Sequence, residues 1–131
     1  MDANGNRGAA RAAFEQSLER GRVLFRGGDL EGAWAAFERA HVLGQPEAWP
    51  HVLSHLWMLR CGLRQRDLVE VLGQLGRVPL AAPASWLGRY PRGNTGRARV
   101  GLFRPMAAPP EVGAPAGRDA PPGAVQGGGP A

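Results

Sequence analysis

The sequence predicts an all-α protein made of two antiparallel helical hairpins, four main helices with repeat-like packing, then an irregular C-terminal segment and a disordered tail. Three observations predict it. Apolar residues recur at steps of three and four from Phe14 to Leu75, the period of a helix. Glycine and proline punctuate that pattern at Gly27-Gly28, at Gly44 to Pro46 and at Pro79. From Ala107 to Ala131 the chain is mostly Ala, Gly and Pro, with almost nothing to bury against the entropy of ordering.

The first helix is expected from Ala9 to Arg26, with Phe14, Leu18, Gly21 and Phe25 on one face. Gly27-Gly28 ends it. Asp29 is a good N-cap for the second helix, because its carboxylate accepts free backbone N–H groups of the first turn. Leu30, Trp34, Phe37 and His41 share that helix's inner face, and Gly44 stops it. Pro50 suits the first position of a third helix, where its missing N–H costs nothing. Val52, Leu56, Leu59 and Leu63 form the apolar stripe of that helix. Asp67 and Glu70 make a capping box for a fourth, whose inner face is Leu68, Val71, Leu72 and Leu75. Pro79 ends it, and Pro83 to Leu87 forms a separate short helix stopped by Gly88. Tyr90 to Arg99 reads as a loop, and Val100, Leu102, Phe103 and Met106 pin an extended segment against the helices. The domain limits that follow are a disordered N-terminus at 1–8, a helical domain at 9–106 and the tail at 107–131.

Composition narrows the function less than the fold. The chain has 131 residues, and all 16 basic side chains are arginine, against 11 acidic ones, for a net charge of +5. The excess accumulates from Arg77 to Arg104, where Arg89, Arg92, Arg97, Arg99 and Arg104 meet no acidic residue. Such a segment suits an anion or nucleic acid. Cys61 is the single cysteine, so no intramolecular disulfide forms. It reads as a small apolar core residue, not a nucleophile. No apolar run is long enough for a membrane span or a signal peptide, and a cytoplasmic location is the default.

The three histidines carry the most chemistry. His51 and His55 are four apart on the third helix and project from one face. His41 lies on the inner face of the helix before, and the connector between them is short. Three converging imidazoles suit zinc, nickel or copper. The plainer reading makes them structural, with His41 bonded to a backbone carbonyl and His51 and His55 partly exposed, and the sequence favours it. No glutamate follows His51, so a zinc-protease pattern is absent. Carboxylates near the cluster are limited to Glu38 and Glu47.

The stretch Gly88 to Thr95 has the spacing of a phosphate loop, but Asn94 stands where the lysine belongs and no strand precedes it. A softer reading leaves an anion nest at Arg92, Gly93, Asn94, Thr95, Gly96 and Arg97. A plain turn with solvated arginines is preferred to it. Trp34, Trp49, Trp57 and Trp86 read as core and hairpin contacts, with Trp57 reserved for the C-terminal segment or a partner.

Two resemblances add to this. Gly21, Leu24, Ala33, Phe37 and Ala40 stand at the packing positions of a single tetratricopeptide repeat, which the first hairpin resembles. The strings from Phe37 to Pro46, Pro50 to Arg60, Gly93 to Gly96 and Phe103 to Met106 resemble a bacterial family, number 3703 among the domains of unknown function. That resemblance implies an ordered domain reaching Met106 and no particular activity. With no acid–base set in view, the leading expectation is a non-catalytic interaction module that binds a protein partner or itself. A three-histidine metal site is the alternative, and nucleic-acid or anion binding through Arg89 to Arg104 comes third.

Overall fold

A computed structural model describes residues 3–112. Helix α1 spans Ala3–Arg26, α2 Leu30–Gly44, α3 Ala48–Gln65 and α4 Leu68–Trp86, with one 3-10 turn at Pro110–Val112. No strand occurs among the described residues. Each helix packs on the next, so α1/α2 and α3/α4 form the two expected hairpins.

The helix boundaries follow local chemistry. Asp29 accepts the N–H of Gly32 at 2.9 Å, and Asp67 that of Glu70 at 3.3 Å, as N-caps should. The second half of the capping box is missing, because the Glu70 side chain turns inward. Helix α1 takes in residues 3–8, expected as a disordered end: extending a nucleated helix adds one hydrogen bond per residue ordered. Pro50 is the third residue of α3, still in the first turn, where its N–H has no intrahelical partner. The fourth helix does not stop at Pro79. It runs through Pro79 and Pro83 to Trp86, so the separate short helix is part of α4. Both prolines lie on the solvent side, where a carbonyl that loses its helical partner is hydrated. Gly88, at φ +62°, follows the end of this helix.

The inner faces of α1 and α2 are placed close to expectation, and α3 meets them with Met58 and Cys61 in place of the expected stripe. Phe14 and Leu18 from α1, Trp34 and Phe37 from α2, and Met58 and Cys61 from α3 form one apolar core. Gly21 is required there: an added Cβ would collide with the ring of Phe37. Trp57 stacks on Phe37 with ring centroids 5.4 Å apart and meets Phe25 edge-on, so it joins the first hairpin and not the C-terminal segment.

The second hairpin is turned over relative to expectation. In α4, Leu68 is 73% exposed and Leu72 68%, while Glu70 and Gln74 are fully buried. In α3 the buried side is His51, Ser54, His55, Met58, Cys61 and Gly62, and the predicted stripe lies beside it, ending with Leu63 in solvent. Trp49 and Trp86 are likewise exposed instead of buried. The reason is that the inward polar groups find partners in one another and in the loop after α4, so burial leaves them satisfied.

That loop, residues 88–109, is ordered by bonds to the helices but carries no extended strand. Asn94 Nδ2 donates to the carbonyls of Gly101 and Arg104, at 2.9 and 2.7 Å. Phe103, expected to be pinned, is 84% exposed. The turn at Pro110–Val112 falls in the stretch expected to be disordered: Val112 packs beside the apolar core and Glu111 pairs with Arg39 at 2.6 Å. Residues 113–131 of the expected tail, with Met1 and Asp2, lie outside the described residues.

Candidate metal centre

His41 sits in the last turn of α2, and the short connector after Gly44 brings α3 back beside it. His51 and His55, one turn apart on α3, therefore point at His41. The Nε2 of His41 lies 3.1 Å from the Nε2 of His55 and 3.1 Å from that of His51. All three side chains are buried, which corrects the expectation that His51 and His55 are partly exposed.

The other nitrogen of each ring decides the protonation pattern. His41 Nδ1 is 2.8 Å from the carbonyl of Asn94, which only accepts, so Nδ1 donates. The carbonyl partner expected for His41 exists, supplied by the loop. His55 Nδ1 is 2.7 Å from Gln74 Oε1. The Gln74 amide nitrogen is directed at the carbonyl of Gly96, 2.9 Å away, so its oxygen is the acceptor for His55. His51 Nδ1 is 2.9 Å from Ser85 Oγ, whose own proton goes to the Gln45 carbonyl at 2.7 Å. Each Nδ1 thus carries a proton and donates it. The three Nε2 atoms are left as lone pairs facing one another.

Three lone pairs at this spacing repel unless a cation stands between them. A proton shared by the rings is disfavoured. Burial, then the neighbouring His55 and His51, hold His41 well below the ordinary histidine range. Burial also lowers His51 to about 4 and His55 to about 3. A bridging water would hold two nitrogens about 4.5 Å apart, wider than the pairs seen. A tetrahedral zinc, bound at roughly 2.0–2.1 Å, spaces its ligand atoms about 3.3 Å apart. The two pairs that include His41, at 3.1 Å, are close to that spacing, and all three atoms lie within 4.8 Å of one another, so the cluster could hold such an ion.

A ring of supporting contacts holds the imidazoles in place. Gly96, at φ +81°, leaves no room for a Cβ: one would lie 2.9 Å from both His41 Nε2 and Met58 Cε. Behind Gln74, Glu70 accepts from Arg97 Nε at 2.7 Å and from the Ala98 N–H at 3.1 Å, which anchors the loop. These orienting partners are the kind that fix a metal-ligating histidine's tautomer. On the open side, a cavity of about 280 Å³ adjoins all three rings and is walled mainly by apolar side chains from the end of α4 and the loop.

The structure places the other candidates elsewhere. Glu38 pairs with Arg97 at 2.9 Å and Glu47 with Arg11 at 2.7 Å, so neither carboxylate reaches the cluster. Cys61 is buried in the apolar core, where desolvation pushes its thiol up to about 11, far from nucleophilic. In the expected anion nest, the Gly93 N–H donates to Gln45 Oε1 at 3.1 Å and the Gly96 N–H to Asn94 Oδ1 at 2.9 Å. Arg92 reaches the Val112 carbonyl, and Arg97 lies over the Trp34 ring while bonded to Glu38 and Glu70. Thr95 is half-buried beside them. These six residues are brought together, but the N–H donors of Gly93 and Gly96 and the guanidinium of Arg97 face partners within the protein. Arg99, from the same acid-free run, pairs with Asp67 at 2.8 Å.

Gln45, Gln74 and Ser85 are the site residues that sequence reasoning missed, and Glu70 was seen only as half of a cap. A signal was present for three of them: Glu70, Gln74 and Ser85 stand at one helical face of α4, which apart from Arg77 is otherwise mostly apolar. Period alone does not say which face of such a helix is inside.

The fold and site together define a small four-helix protein with a buried, proton-ordered three-histidine cluster. It matches, over residues 8–115, the family described as "Protein of unknown function (DUF3703)", and it belongs to that family. No curated protein and no solved structure matches it.

Proposed function

We propose that this protein binds a divalent transition metal through the Nε2 atoms of His41, His51 and His55, with zinc as the best fit. One observation carries the reading: three buried imidazoles converge by their Nε2 atoms while each Nδ1 is engaged as a donor. Neutral imidazole is a ligand for nickel and copper too, but Cu(II) and Ni(II) favour tetragonal sets. Elemental analysis of the purified protein and calorimetry with zinc, nickel and copper test it. One bound metal per chain is expected, with zinc affinity reduced at least about 100-fold in His51→Ala and His55→Ala. If none of the three metals binds, or if the double variant binds as well as the native chain, the reading fails.

A second reading, self-association through α4, is favoured by the outward face of that helix. Leu68, Leu72, Leu75, Pro79, Ala82 and Trp86 alternate steps of four and three, the spacing of a helix–helix seam. The charged residues of α4, Glu70 and Arg77, are not on that seam. The Gly21–Phe37 packing of the first hairpin supports a repeat-like interaction role as well. Sedimentation velocity is expected to show a dimer, and a monomer at high micromolar concentration overturns this reading. Among the described residues no helix is long and apolar enough to cross a membrane. A single cysteine that needs no oxidising compartment supports a cytoplasmic setting.

A further inference from the structure

Three protein ligands leave a tetrahedral ion one position to fill, and what fills it is set by the space beside the cluster. That space is the cavity of about 280 Å³ that adjoins His41, His51 and His55. Leu80, Leu87, Pro91, Leu102 and Phe103 supply much of its wall, and no aspartate or glutamate lines it. Two cationic residues do: Arg77 and Arg89. Arg77 is half-buried and anchored by the carbonyls of Gly73 and Val100, each at 3.2 Å. Among the described residues no carboxylate forms an ion pair with it. The buried Glu70 carboxylate attracts it through space but is itself bonded to Arg97 and the Ala98 N–H, so a metal ion and this guanidinium would face the apolar cavity with no anion in its wall, and burying unbalanced charge is costly.

Resting on the metal-binding reading, we propose that this cavity takes a small monocarboxylate with an apolar body. Its carboxylate completes the metal's coordination and offsets the charge of Arg77, while its hydrocarbon part fills the space between Leu80, Leu87 and Phe103. The space, about 280 Å³ and open to solvent past Leu87 and Phe103, admits a short aliphatic acid such as hexanoate. A larger polar anion such as a nucleotide does not fit the walls, and an uncharged alcohol leaves the field uncompensated.

The test uses the full chain loaded with cobalt(II), whose visible bands report coordination number and the identity of the open ligand. Hexanoate is titrated, with acetate, inorganic phosphate and hexanol as comparisons. Hexanoate is expected to shift the bands and to bind on the order of 100-fold more tightly than acetate, from four additional buried methylenes. Hexanol is expected to leave the bands unchanged. Arg77→Gln is expected to weaken hexanoate about tenfold while cobalt uptake stays as in the native chain, and Arg77→Lys to restore part of the loss. Leu87→Asn provides an independent variant, expected to erase most of the preference for hexanoate over acetate. Equal binding of acetate and hexanoate, tighter binding of phosphate, or no band shift on a cobalt-loaded protein would each overturn the proposal and leave the metal reading standing. Absence of cobalt bands would remove both.

Discussion

The two hairpins solve the same packing problem in opposite ways. The first puts Phe14, Trp34 and Phe37 inside and its charged residues outside. The second puts His51, His55, Glu70, Gln74 and Ser85 inside and leaves Leu68, Leu72, Leu75 and Trp86 in solvent. The difference teaches that amphipathicity identifies a helix and its two faces, whereas the direction of burial depends on what each face meets. A polar face is stable inside when every group on it is paired, and here the pairs include imidazole to amide and carboxylate to guanidinium. The inversion also concentrates chemistry. The three imidazoles, their orienting acceptors and a mainly apolar cavity lie within one layer, between α2, the second hairpin and the loop.

The largest expected effect compares the two interiors directly. Phe37→Ala empties the centre of the apolar core and should cost about 3–5 kcal/mol of stability. Glu70→Ala leaves the Ala98 N–H and the Nε of Arg97 without their acceptor, while Arg97 keeps its pair with Glu38. It should cost less, about 1–3 kcal/mol, because Arg97 keeps Glu38 and the penalty is that of the donors left unpaired. Urea unfolding of both variants measures this. A loss below about 1 kcal/mol for Glu70→Ala would show that the second hairpin does not depend on its polar interior.

A pH series sharpens the same contrast. In the metal-free protein, burial lowers His51 to about 4 and His55 to about 3, below the roughly 6.5 of an unfolded histidine. The unfolded chain therefore takes up protons that the folded chain refuses. The contribution of these rings is fully present above about pH 6.5 and is lost as pH falls toward 4. The urea midpoint should drop steadily between pH 7 and pH 5, and a His51→Gln/His55→Gln variant should drop less. Equal slopes for the two proteins would mean that these imidazoles are not buried and neutral in the metal-free fold.

The smallest effect lies on the outer face. Leu72→Ser, at a side chain 68% exposed, should change monomer stability by no more than about 0.5 kcal/mol. Any self-association through α4 should weaken in that variant, seen by sedimentation at matched concentrations. A loss of monomer stability comparable to Phe37→Ala would mean that this face is covered within the chain and that the contrast between the hairpins is false.

Much of the site was legible before the fold. The spacing of His51 and His55 placed them on one helical face, and the short connector after Gly44 implied that His41 would be near. Their burial was not legible, and neither was the identity of the groups behind them. Gln74 and Ser85 come from α4, and Asn94 from a loop whose sequence resembled an anion nest. Their acceptor atoms reach the rings only because the polar face of α4 turns inward. The same turn engages Arg97 and Arg99 with Glu70 and Asp67, residues separated from them by about thirty positions, so part of a run without acids in sequence is paired in space.

From the sequence alone came the all-α class, the N-caps at Asp29 and Asp67, the apolar core of the first hairpin and the candidate ligands. These depend on short-range rules: helical period, capping chemistry and the side chains a metal accepts. The tertiary structure decided which way the second hairpin faces, where α4 ends, and which nitrogen of each imidazole is free. Those outcomes are set by long-range hydrogen bonds among α2, α3, α4 and the loop. Burying a polar face without its partners carries a desolvation penalty, so the inversion is stable only once all four segments have come together.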